Sequence, residues 1–380
     1  MGRTTSEAQL GELKASAAAF AESSRDSLIR VRQARGELAG PSNLLAFVHI
    51  PKTAGGTVIN MLAAAYSRAA LHDAGNYMTG PDGSARKLAR RAGGWQAWER
   101  RGGRVTAGHV PYGVYREFLP RGTRYITFLR EPADRVVTHY YNHVRLKDPG
   151  SNPARSVDQP GLLDTKVRTA SLEEAFELGL PVLCNLATRF LSGQPSPTGE
   201  LPDNALDDAK ANLRDFAFVG LQERFEESIV LLQRMLGLEP TSYVNRHVSV
   251  DRPLVEDIRE EERQLIREHN RLDLELYAFA TELFNEAVAS TDAAFAADVE
   301  RMRSMSTEAN EEALARAREL LDRELPIGTS KPKAELFATA RRTGVPAAAL
   351  KNVSKVGVLK KGGDAQKNAG DEGKVWTRTG

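Results

Sequence analysis

Apolar residues in this chain gather in two ways. Four short runs, at residues 44–50, 105–110, 125–129 and 216–221, have the length of single buried strands. Elsewhere the apolar positions recur every three or four residues, which predicts helices. One helix follows the first run and is expected to be capped by Thr57; a long one opens at Pro132; an amphipathic one covers residues 224–236. A longer helical stretch spans 254–289, with Leu265, Leu272, Leu276, Phe279 and Leu283 on core-facing spacing. Strands alternating with helices predict an α/β fold of three layers with a mostly parallel central sheet.

The ends read as additions to this unit. Residues 1–41 form an extension in which 5–38, rich in Ala, Glu, Ser and Arg, predict one helix. The core is expected over 42–290, a polar helix over 291–327, and a basic, solvated and largely disordered tail over 328–380. From residue 331 onward 11 Lys or Arg stand against 4 Asp or Glu.

The junction after the first run carries chemistry. Residues 51–57 read PKTAGGT, so a strand, a glycine-bearing turn and a helix follow one another. Backbone N–H groups of residues 53–58 would converge on one spot, with the positive end of the helix dipole behind them and Lys52 beside them, a setting for phosphate or sulfate. Gly55 and Gly56 would let the backbone approach closely. The familiar phosphate loop has its lysine after the glycines, followed by Ser or Thr for magnesium; here Lys52 comes first and no such pair follows.

Arg130 closes the third run. Ligands of open α/β sheets bind outside the carboxyl ends of the strands, so Arg130 and Lys52 would face one crevice despite their separation in sequence. Thr138, about two turns into the next helix, would join Arg130 around a second anion. His109 ends the second run, where an imidazole suits proton removal near neutral pH. Tryptophans 95 and 98, in a basic segment, either line a cleft or pack from an amphipathic helix. Cys184 and His49 read as packing residues. His139 and His143 share a helix face without the glutamate of a zinc motif, so no metal site is expected.

Three stretches together, PKTAGGT, GHV at 108–110 and the R-x-P-x-x-R-x-x-[ST]-x-Y-Y pattern of Arg130, Pro132, Arg135, Thr138, Tyr140 and Tyr141, resemble sulfotransferases that use 3'-phosphoadenosine 5'-phosphosulfate (PAPS). The spelling is closest to the carbohydrate branch that includes heparan sulfate 2-O-sulfotransferases and bacterial relatives. Many relatives have Ser where Thr138 stands; the hydroxyl is kept.

The resemblance implies a P-loop NTPase-like sulfotransferase fold, PAPS as donor and the bisphosphate PAP as product, with no metal required. It implies His109 as the base and Lys52 at the oxygen bridging sulfur and phosphate. Thr53, Ala54, Gly55, Gly56 and Thr57 would hold the phosphosulfate, and Arg130 and Thr138 the 3'-phosphate. Arg246 and Ser249, in YVNRHVS, fall where such enzymes close a loop over the nucleotide. Tyr112 and Arg145 are candidate contacts for an acceptor, expected to be a carbohydrate; bacterial relatives also modify lipids and small natural products. A nucleotide kinase or NTPase and a noncatalytic PAPS-binding protein are the alternatives.

Composition sets bounds. The net charge of +2 over 380 residues argues against a nucleic-acid-coating surface, and a single cysteine excludes an intrachain disulfide. With no stretch apolar and long enough to span a bilayer, a bacterial-type cytoplasmic protein is expected.

Overall fold

The computed structural model of the chain describes residues 43–76, 94–141, 170–194, 200–244, 253–324, 330–343, 345, 349–350, 360–361 and 375–377. Arg145, Arg246, Ser249 and the expected N-terminal helix lie outside them. The strands in chain order are β1 (Leu45–Val48), β2 (Leu71–Asn76), β3 (Val105–His109), β4 (Arg124–Leu129), β5 (Phe218–Leu221), β6 (Ser330–Pro332), β7 (Lys360–Lys361) and β8 (Val375–Thr377). The helices are α1 (Gly55–Tyr66), α2 (Trp95–Arg100), α3 (Tyr112–Phe118), α4 (Pro132–His139), α5 (Leu172–Glu177), α6 (Leu186–Leu191) and α7 (Ala205–Asp215), followed by α8 (Phe225–Leu236), α9 (Glu260–His269), α10 (Arg271–Ala289), α11 (Phe295–Glu324) and α12 (Lys333–Arg342).

The chain divides into two compact units. The first comprises Met1–Gly55, Leu62–Leu232 and Arg252–Thr291, and the second Gly56–Met61, Gln233–Asp251 and Asp292–Gly380.

The first unit is α/β. Its five strands are all parallel and ordered β2-β3-β1-β4-β5. The chain leaves β1 toward one edge and β4 toward the other, so the connections diverge between these two strands, and ligands of such sheets bind at the crevice outside that point. Every residue of β1 is buried. The Thr127 hydroxyl donates to the Val48 carbonyl at 2.9 Å, adding a side-chain bond at the carboxyl ends of β1 and β4. Phe128 packs with Phe47, Phe218 and Phe225, and a Cβ at Gly220 would sit 2.7 Å from its ring.

Edge strand β2 has no counterpart among the apolar runs. It reads LHDAGN, with Asp73 exposed, and pairs on one side only, so nothing selects a continuous apolar pattern. The α2 tryptophans are core, not cleft: Trp95 is 1 % exposed and Trp98 6 %, packed edge-on against each other and against His72.

The expected helical stretch 254–289 is two helices broken at Asn270. Asn270 donates to the Ile266 carbonyl and accepts from the Asn185 N–H, so its side chain serves polar groups at the break. Asn185, left-handed at φ 49°, accepts from the N–H groups of Leu272 and Asp273 at the start of α10. Asp273 returns the favour to α6, accepting from the N–H groups of Ala187 and Thr188 and from the Thr188 hydroxyl at 2.8–2.9 Å. Each helix start is thus capped from the other segment. Asn185→Ala is expected to lower stability by about 2 kcal/mol, measured by urea unfolding.

The second unit holds α11, whose buried positions Phe295, Val299, Met302, Ser306, Ala313, Ala317, Leu320 and Leu321 follow helical spacing. Asn310 donates to the Tyr243 carbonyl at 3.0 Å, and Ser306 accepts from the Tyr243 N–H. The region expected as a disordered tail includes α12 and buried residues beyond it. Leu336, Ala340, Val345, Ala349 and Leu350 form one apolar cluster with Ala313, Ala317, Leu320 and Leu321. Few and mostly small apolar groups suffice because they share one face against α11. Strands β6 and β7 both pair antiparallel with β8. Among the described residues no helix is long and apolar enough to cross a membrane.

Candidate active site

The turn after β1 is built from unusual backbone. Lys52 and Ala54 both take left-handed conformations, at φ 74° and 61°. Each costs a non-glycine residue about 1 kcal/mol, a strain that clusters at functional turns. Gly55 and Gly56 are helical instead, and Ala54 is the residue from which α1 starts. Thr57 is therefore not the N-cap but the third helical residue. The α1 start has no side-chain cap bond and no acid in its first turn, so its amides and the dipole favour an anion. Thr53 is fully buried and its hydroxyl donates to the Ile50 carbonyl at 2.9 Å, which leaves its backbone N–H as its means of serving an anion.

Arg130, at the carboxyl end of neighbouring β4, reaches this turn directly. Its Nη1 donates to the Lys52 carbonyl at 3.1 Å, holding the strained residue from across the sheet. Its Nε donates to Asp134 Oδ2 at 2.8 Å, and Nη2 bonds the same oxygen. Asp134 donates its N–H to the Glu131 side chain, which caps α4. Those three bonds occupy three of the five guanidinium N–H groups, so a phosphate would share or compete for the rest.

Thr138 lies on α4 and is 4 % exposed. Arg135, the second arginine of the same motif, points into the core: it is 1 % exposed and its Nη1 donates to the Val182 carbonyl at 2.9 Å. Burial pulls its pKa down, and the Asp273 carboxylate opposes that pull. Tyr140 donates its hydroxyl to the Ala170 carbonyl, fastening the end of α4.

On the other side of β1, His109 ends β3 and is half-buried. Its Nδ1 lies 2.8 Å from the His49 carbonyl oxygen. A carbonyl only accepts, so Nδ1 carries the proton and the basic lone pair of neutral His109 is on Nε2. The His49 ring stands 4.1 Å from the His109 ring, tilted by 36°. Asn76 of β2 pairs in register with His109.

One candidate, Tyr112, is not brought into this group. Tyr112 is 8 % exposed and packs with Tyr125 and Phe216 under the Arg116 guanidinium, and burial raises its hydroxyl pKa. Cys184 is a packing residue whose thiol burial pushes up to about 11. Among the described residues no three His, Cys, Asp or Glu side chains cluster as metal ligands.

His49, read as a packing residue, does stack on Phe47 but also meets His109, and Asn76 is not singled out by the sequence. His49 is the next-to-last residue of its apolar run just as His109 is of its own; that shared position is the signal that places them side by side once β1 and β3 are neighbours. For Asn76 no signal exists, because β2 itself is illegible.

Lys52, the α1 start, His109 and Arg130 thus occupy the carboxyl ends of three adjacent strands, with cationic groups and a helix start that lacks a side-chain cap on one side and a proton acceptor on the other. Comparison with models of protein families and with curated proteins finds no match to this chain, so its chemistry is read from these side chains.

Proposed function

We propose that the chain is a PAPS-dependent sulfotransferase with a P-loop-like fold that transfers a sulfuryl group to a hydroxyl of a carbohydrate acceptor. The supporting observation is the His109 tautomer beside the strained, uncapped start of α1. A base with its lone pair on Nε2 and an anion cradle with Lys52 are the two parts such a transfer needs.

The acceptor oxygen bonds sulfur while the bond from sulfur to the bridging oxygen of the phosphosulfate breaks. The hydroxyl proton passes to His109 Nε2. Lys52 offsets the charge that develops on the bridging oxygen, and PAP departs with it. Amides of Gly55, Gly56 and Thr57 hold the 5'-phosphosulfate; Arg130 and Thr138 serve the 3'-phosphate that separates PAPS from ATP. Without a left-handed turn at Lys52 and Ala54, these amides would not be presented together, which gives the strain a purpose.

Calorimetric titration with PAP, against ADP and against ATP with magnesium, tests the donor site. Tight, metal-independent binding of PAP alone is expected. Preference for ATP with magnesium would overturn the reading in favour of a kinase or NTPase.

A further inference from the structure

The ring of His49 meets three parts of the site. On one side it stacks on Phe47, with centroids 5.2 Å apart and planes 14° apart. On another it meets the His109 ring at 4.1 Å. It also covers the first residue of α1: a Cβ built on Gly55 would fall 2.1 Å from both Cδ2 and Nε2 of His49. No neighbouring side chain could tolerate that overlap, so Gly55 is glycine for space, since its own backbone is helical. The carbonyl of the same His49 receives the His109 Nδ1 proton.

We infer that His49 is a positioning residue, which sets the separation and orientation between the proton acceptor His109 and the anion-binding start of α1. The inference rests on the proposed sulfuryl transfer for its kinetic consequence, and on the geometry alone for its spectroscopic one. One residue holds His109 twice, by a hydrogen bond from Nδ1 and by contact with the ring face. Rotation of His109 would have to break both. Phe47, in turn, keeps the His49 ring from turning away. The His49 ring thus contacts both the base and the first residue of the cradle. Displacement of a reacting group by an ångström costs about a hundredfold in rate, while groups that bind the donor through backbone amides need no ring at His49.

Two variants of His49 and one of Gly55 test this. His49→Ala is expected to lower kcat about a hundredfold with PAP affinity nearly unchanged. His49→Phe, which keeps a ring without titratable nitrogens, is expected to recover most of that loss. Gly55→Ala drives a methyl into the ring and should lower kcat similarly, with the double variant His49→Ala/Gly55→Ala well short of additive, as expected for residues in contact. Unchanged kcat in His49→Ala, a loss of PAP affinity as large as the loss of kcat, or full additivity with Gly55→Ala would each overturn the inference.

Nitrogen-15 imidazole spectra give a readout that needs no turnover. Wild-type His109 should show one tautomer, protonated at Nδ1; the backbone carbonyl of residue 49 survives in both variants and keeps that tautomer, whereas loss of the ring contact in His49→Ala is expected to broaden the His109 ring resonances through ring motion, which His49→Phe restores. His109 ring resonances as sharp in His49→Ala as in the wild type would sink the positioning role even if the protein transfers sulfuryl groups. Conversely, failure of the wild type to bind PAP would remove the donor assignment while the ring-resonance comparison still decides the role of His49.

Discussion

His109→Ala is expected to reduce sulfuryl transfer by about 10²–10⁴-fold, the usual contribution of a positioned acid–base group, with PAP affinity held within about threefold. That loss corresponds to about 3–5 kcal/mol of transition-state stabilisation. The split between turnover and affinity follows from the geometry. The His109 ring is held from the His49 side, by the bond from Nδ1 to the His49 carbonyl and by contact with the His49 ring. Removal of the ring takes away the acceptor for the hydroxyl proton and leaves the cradle. Steady-state kinetics with a screened carbohydrate acceptor, beside calorimetry with PAP, makes the comparison. Retained turnover would exclude His109 as the base, and a parallel fall in PAP affinity would show that the ring supports the loop instead.

Arg130→Ala is the second large effect. A charged hydrogen-bonding group that serves the 3'-phosphate contributes about 1.5–3 kcal/mol, so PAP should bind about 10–100-fold more weakly, whereas nucleotides lacking that phosphate should change less. A structural contribution accompanies it, because Arg130 also donates to the carbonyl of strained Lys52. Loss of that tether weakens the 5' side for every nucleotide alike. The difference between PAP and ADP therefore isolates the 3' contact: a uniform loss would leave Arg130 as a brace for the turn and nothing more. Asp134 loses its partner in this variant but is 26 % exposed in its side chain, so water takes over much of the pairing and the protein should remain folded.

Much of the parallel sheet is legible in the chain because strands buried in it favour apolar runs: β1 is one without a break, and β3, β4 and β5 are interrupted only by Thr, Gly or the residues at their ends. Strand β2 is not, since an edge position accepts Asp73 and Asn76. The long helix expected over 254–289 illustrates a different failure. Its apolar spacing continues through the break, and only the bonds made by Asn270 and Asn185 across the fold explain why the backbone does not. The α12 region was masked by its basic composition, although a small apolar stripe is enough when a long helix supplies the other half of the cluster.

For the site, the chain by itself determined which residues stand at strand ends, because the apolar runs stop at Lys52, His109 and Arg130 or just before them. It also determined the absence of a capping acid in the first turn of α1. Tertiary structure alone decided how those residues are used. The left-handed conformations belong to Lys52 and Ala54, whereas the glycines that looked like the flexible positions are helical, and Gly55 is small because the His49 ring lies against it. The His109 tautomer, the brace from Arg130 to Lys52 and the buried direction of Arg135 have the same origin. Local pattern records which side chains must be buried; the bonds from His109 to His49 and from Arg130 to Lys52 join residues 60 and 78 positions apart, which meet only when parallel strands bring their ends together.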